Sequence, residues 1–154
     1  QEREISVKGS IEVSNYPEVD KPFSFHFQSE MTLGRTNNKL FIAPFLNQSQ
    51  TKNIFTQKER ILPIDMIHKH AGKYNSRIQI PEGYQIEYIP KAFKMDNKYM
   101  LINYAIEQKD DEIIVNAEYQ FKESLYEAMD YPALKECFNH MVHSFNDMII
   151  LSKL

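Results

Sequence analysis

The chain has 154 residues, 42% of them apolar and 25% charged, a formal net charge of −3 and one cysteine, Cys137. A chain of this length buries enough surface to fold without disulfides or metal, and one cysteine excludes an internal bridge. The mild, scattered charge argues against a nucleic-acid-binding face, and no apolar run reaches the ~18 residues that a transmembrane helix needs.

The chain begins QEREISV, already in a strand pattern, with no initiator Met and no signal peptide. It is expected to be a mature product or the C-terminal part of a larger protein. Ile5, Val7, Ile11 and Val13 alternate with polar residues, which predicts a half-buried strand bent at Gly9. After a turn at Asn15–Glu18, Phe23, Phe25 and Phe27 alternate with Ser24, His26 and Gln28, a second strand with an aromatic inner face. Gly34–Asn38 reads as a turn, and Lys39–Ala43 as a short third strand closed by Pro44.

The stretch from Phe41 to Met66 is the least periodic. It has Pro44 and Pro63 near its ends, a polar cluster from Asn47 to Asn53 and the charged run Lys58-Glu59-Arg60. It is expected to cross between two sheets and to end in an edge segment, because Pro63 cannot donate to a ladder. His68–Lys73 reads as a loop. Strand patterns at Tyr74–Ile80 and Tyr84–Tyr88 flank Pro81-Glu82-Gly83, which predicts a hairpin-like unit ended by Pro90. Phe93–Asn97 is a weak strand. Met100–Ile106 and Ile113–Phe121 then form the clearest hairpin, bent at Lys109–Asp111.

Beyond Leu125 the period changes. Leu134, Cys137, Phe138, Met141, Val142 and Phe145 recur at helical spacing, with Asp130 as a candidate N-cap and Pro132 in the first turn. The helix is expected over about 130–147, with a short final strand at Met148–Leu151. Many short strands followed by one helix point to a mainly β fold. The expectation is a single antiparallel β-sandwich, immunoglobulin-like or related, spanning 1–154 with one C-terminal α-helix.

No catalytic constellation stands out. His140-x-x-His143 has metal-ligand spacing on the helix, and His68-Lys69-His70 has it on an extended loop. Each pair lacks a third ligand, and the plainer reading is solvated side chains. Cys137 falls on the apolar stripe, where a thiol is packed and inert rather than nucleophilic. The acidic groups Asp110-Asp111-Glu112 and Glu123/Glu127 lie on a turn and an exposed segment, not around a cleft. There is no phosphate loop, nucleophile elbow or C-x-x-C. No cofactor is expected. Tyr74, Tyr84, Tyr88 and Tyr99 could stack sugars, although strands also use tyrosines to fill sheet faces.

Several segments, in this order, carry a resemblance: DKPFSFHFQ from Asp20, KLFIAPFLNQS from Lys39, NIFTQKERILPIDM from Asn53, RIQIPEGYQIEYIP from Arg77 and DYPALKECFNHMVHSFNDMIILSKL from Asp130. The chain resembles, over about residues 20–154, the C-terminal β domain of unknown function in large exported Bacteroides-type proteins. There the domain follows a transglutaminase-like, papain-type domain. His68–Gly72 departs from that family's more aromatic stretch. The resemblance implies a non-catalytic accessory domain beside an upstream thiol peptidase or transamidase. It also implies residence in the periplasm, at the cell surface or outside the cell. No catalytic residue carries over, since Cys137 stands in the wrong segment. Arg60 and the Pro44–Pro63 crossing are the candidate contact with upstream domains of the same polypeptide. The alternative is a cell-surface or periplasmic module binding glycan or peptide, for which Tyr74, Tyr84 and Tyr88 are the candidate surface.

Overall fold

The computed structural model describes residues 6–16, 18, 20–30 and 32–154. Two compact units are present, Gln1–Gly34 and Arg35–Leu154. The first is a hairpin of β1 (Ser6–Ser14) and β2 (Ser24–Glu30). The expected bend is there: Gly9 has φ +77 and the pairing slips between Lys8 and Glu12, a bulge that suits glycine. Asn15 takes φ 62 and its carbonyl accepts the Glu18 N–H at 3.0 Å, closing the expected turn. Ile5 and Pro17, named in those expectations, lie outside the described residues.

The aromatic face of β2 is not an inner face. Phe23, Phe25 and Phe27 are 57%, 55% and 44% exposed. Val13 pairs with Phe25, so the aliphatic residues of β1 share that face, and Val7, Ile11 and Val13 are exposed too. The reason is the layer count. Alternation makes one side of a ribbon apolar, but only a second layer can cover it.

The second unit is an antiparallel β-sandwich with a C-terminal helix. One sheet has the order β6-β10-β9-β8, from β6 (Ala71–Gln79), β8 (Phe93–Asp96), β9 (Met100–Lys109) and β10 (Glu112–Phe121). The other has the order β3-β4-β12-β7, from β3 (Gly34–Thr36), β4 (Lys39–Ile42), β7 (Tyr84–Tyr88) and β12 (Ile149–Lys153). A ribbon of β5 (Ile64–Asp65) and β11 (Leu125–Tyr126) stands apart. Part of the turn expected at Gly34–Asn38 is thus a strand, and the reversal itself narrows to Asn37, at φ 49.

The hairpin of β9 and β10 forms as its alternation predicts. Met100, Ile102, Tyr104, Ile113, Val115 and Ala117 face inward, and Asp110 takes φ 54 at the bend. The helix α1 (Tyr131–Asn146) lays Leu134, Phe138, Met141 and Phe145 into the same core, with Cys137 buried among them. Asp130 precedes it as expected but makes no side-chain cap. Its carboxylate instead accepts Lys98 Nζ and Tyr99 Oη, both at 3.1 Å. The final strand is confirmed and takes a central place, between β4 and β7.

One expected hairpin is a corner. β6 and β7 do not pair with each other: β6 joins β10 and β7 joins β12. The turn between them has its own bond, Tyr84 N–H to Pro81 C=O at 3.1 Å, and Gly83 sits at φ +80. Its flanks belong to different sheets. The Ile80 N–H donates to Asp111 in one, and the Leu154 N–H to Gly83 in the other. Local turn chemistry is the same for a hairpin and for a corner; the partners available on either side decide.

The crossing from β4 to β5 is irregular, as expected, and is fastened along the helix. Asn53 Nδ2 donates to the Lys135 carbonyl at 2.9 Å and to Asn139 Oδ1 at 2.6 Å. The Gln57 carbonyl accepts Tyr131 Oη and Lys135 Nζ, and the Gln50 carbonyl accepts Asn146 Nδ2. The bonds to the Gln57 and Gln50 carbonyls satisfy backbone that has no ladder of its own. They also seat Phe55 edge-on against Phe121, Tyr131 and Phe138.

Candidate functional site

β6 is an edge strand nine residues long. The His70 carbonyl accepts the Phe121 N–H at 2.9 Å, and the Ile80 N–H donates to the Asp111 carbonyl at 2.7 Å. Bonding in an antiparallel pair alternates, so the even-numbered residues of β6 bond to β10. The backbone groups of Ala71, Lys73, Asn75, Arg77 and Gln79 therefore turn to the free edge, where no strand among the described residues pairs with them.

Beside that edge lies a groove of about 340 Å³ lined by Pro44, Phe45, Leu46, Gln48, Tyr74 and Asn75, among others. Its floor is fixed. Phe45 is buried and packs against Tyr74 (ring centroids 5.4 Å apart), Phe145 and Tyr104. Its lip is unusual. Leu46 and Asn47 take φ 50 and 62, and the turn is held by Leu46 N–H to Ala43 C=O and Gln48 N–H to Phe45 C=O. A left-handed leucine costs about 1–2 kcal/mol, yet this one is left 40% exposed at the groove. The edge carries two charges, both largely exposed: Lys73, which also lines the groove, reaches Glu118 (3.3 Å), and Arg77 reaches Glu112 (3.5 Å), both on β10. Charged side chains that stand along an edge block pairing. Here each has a carboxylate partner on β10.

A second surface surrounds the β5–β11 ribbon. Ile61, Leu62, Ile67 and Met129 are strongly exposed and Leu125 is half exposed. The Met66 carbonyl accepts the His68 N–H at 2.7 Å across Ile67, which sits at φ 65. That is a tight turn a β-branched residue rarely adopts.

The residues singled out in the sequence fall in separate places. Tyr74 lies in the groove, while Tyr84 and Tyr88 belong to the opposite sheet, so the three share no face. Tyr88 Oη donates to Asp147 Oδ2 at 2.7 Å, and that bond holds its ionisation above the ordinary tyrosine range. Tyr104 is buried, and its hydroxyl has no partner among the described residues. Burial first, then the nearby Asp147 and Tyr88, push its ionisation well up. The Arg60 guanidinium stands 6.0 Å from the Tyr131 ring centroid.

His68 and His70 do come together, with ring centroids 4.0 Å apart, and His70 Nε2 is 3.1 Å from the Met66 carbonyl. His140 stacks on Phe93 and lies 3.9 Å from Glu136, while His143 is exposed on the helix. Among the described residues no three His, Cys, Asp or Glu side chains converge on a metal-sized site. The Cys137 Sγ accepts Asn97 Nδ2 at 3.3 Å within the core. Also among the described residues, no helix is long and apolar enough to cross a membrane. Sequence reasoning found Tyr74 but missed Phe45 and Leu46. The signal available was the polar turn cluster directly after a strand-ending proline.

No curated protein matches the chain. Among solved structures it is similar to a crystal structure described as a "putative protease" from Parabacteroides distasonis, with a TM-score of 0.62 and 8% identity. The match covers 75% of this chain and 24% of that one, so the chain spans about a quarter of that protein's length. At that identity the likeness speaks for fold alone. Residues 38–151 match the model of a domain of unknown function with a solved structure, DUF3858, and the chain belongs to that family.

Proposed function

We propose that this chain is a non-catalytic accessory domain of a transglutaminase-like protein, and that it supports or positions an upstream thiol peptidase or transamidase domain. The observation that carries this reading is the uncovered apolar face of the β1–β2 hairpin. Two strands alone are at best marginally stable in water, and six exposed apolar side chains on one face call for a covering layer. In sequence the hairpin precedes the matched family segment, next to where an upstream domain would join. The exposed Ile61 and Leu62, next to Arg60, offer a smaller contact at the end of the crossing. The neighbour's description as a "putative protease", and a length of which the match covers only 24%, agree with such a setting. In this reading the protein is exported to the periplasm or cell surface of a Bacteroides-type bacterium, and any catalytic triad lies upstream of Gln1.

The test begins with the coding sequence upstream of Gln1. A transglutaminase-like domain with its Cys, His and Asp is expected there. That domain, expressed separately, should bind the chain one to one, and Phe25→Glu with Phe27→Glu should abolish the complex. An upstream sequence without such a domain, or a complex indifferent to the hairpin charges, overturns the reading.

A further inference from the structure

We infer that the free edge of β6 and the groove beside it form a binding site for an extended peptide, which adds as a strand and places one apolar side chain over Phe45 and Tyr74. Three observations converge. The edge presents the outward N–H and C=O groups of Lys73, Asn75 and Arg77 at strand spacing. Only another extended backbone offers complementary donors and acceptors at that repeat. The groove, about 340 Å³, lies beside Lys73 to Ser76, so a side chain of an added strand has an apolar floor to meet. Its walls are set in advance: Phe45 is wedged between Tyr74 and Phe145, and the left-handed Leu46 forms the lip. A site built beforehand spares the ligand the cost of shaping it.

The polar rim narrows the ligand further. Gln48, Asn75, Ser76 and Lys73 line the groove beside the apolar floor, and Lys73 Nζ also lies 3.3 Å from Glu118. The site therefore suits an apolar residue flanked by small polar ones. Main-chain bonds would supply the affinity, and the groove the preference for a position. This site is built from residues of the second unit alone, and it stands whether or not the chain docks onto an upstream domain.

The probe is a capped eight-residue peptide of alternating threonine and valine with one central leucine, added to the isotopically labelled full chain. Hydrogen exchange read by NMR should slow at the amides of Lys73, Asn75 and Arg77, with shift changes at Phe45, Leu46 and Tyr74. The same peptide N-methylated at alternate residues keeps its side chains but loses the edge bonds, and it should give no protection. Asn75→Pro removes an outward N–H together with the Asn75 side chain and is read against Asn75→Ala; the ladder to β10 should persist in both, while binding weakens about tenfold more in the proline variant. The methylated peptide leaves the protein unaltered, so that comparison decides even where the proline variant unfolds. Absence of binding at millimolar peptide, protection elsewhere, or protection indifferent to methylation overturns the assignment. So does an edge already protected in the free chain with doubled mass, which would mean that a second copy occupies it.

Discussion

Two hairpins in this chain follow the same alternation and meet opposite fates. In β9–β10 the apolar face carries Ile102, Ile113 and Val115, all fully buried beneath the helix and the opposite sheet. In β1–β2 the apolar face carries Phe25, Phe27 and Val13, and each keeps 44–55% of its surface. Burial of an apolar side chain contributes about 1.5–3 kcal/mol relative to exposure. The first hairpin therefore stabilises the fold through that burial, and the second contributes correspondingly little. Amphipathic alternation specifies a face, and it does not specify that a cover exists within the same chain.

The largest expected effects test that contrast directly. Leu134→Ala, beneath β9–β10, should cost about 2–5 kcal/mol in urea unfolding of the full chain. Phe25→Ala should cost less than about 1 kcal/mol there, yet weaken association with an upstream domain sharply. Equal costs for the two would show that the hairpin face is buried in solution and would remove the distinction.

Next comes a close approach between β6 and β10. A Cβ added at Gly72 would lie 2.6 Å from Tyr119 Cε1, and that ring is confined by Phe121. Gly72→Ala should cost about 1–3 kcal/mol, and the penalty should largely vanish in a Tyr119→Ala background. A double-mutant cycle reads this without reference to any ligand.

A smaller change of opposite sign is expected at the ribbon. Ile67→Gly relieves a positive φ in an exposed side chain and should raise stability by about 0.5–1 kcal/mol. A loss would mean that the Ile67 side chain makes contacts that outweigh its strain.

The smallest effect is a pH dependence at the start of the helix. The Lys98 ammonium first, then the Tyr99 hydroxyl, hold the Asp130 carboxyl below the ordinary carboxylate range. Its stabilisation is complete above the unfolded value near pH 4 and drains as pH falls through the lower folded value. Asp130→Asn should therefore lower the thermal midpoint slightly at neutral pH and converge with the parent protein in acid. A difference that persists unchanged into acid would assign the loss to packing instead.

Much of this could be read in the sequence. Period-two alternation placed β9 and β10, the glycine at position 9 placed a bend where the structure shows a register slip, and the Leu134–Phe145 stripe placed a helix that the structure starts at Tyr131 and ends at Asn146. These features depend on φ preferences and on which side of one element is apolar, and both are local. Fold class follows, because short alternating strands before a single helix have few ways to bury their faces. The partners of each strand were not legible. Pro81-Glu82-Gly83 serves a hairpin and a corner equally well, and only the sheets on either side made it a corner. The last strand became central because β4 and β7 each offered it a free edge, a fact of long-range pairing. The groove follows from the same cause: Phe45 and Tyr74 are nearly thirty residues apart, and the crossing brings them together. Local chemistry wrote the elements of this protein, and the competition for partners among edges and faces decided what each became.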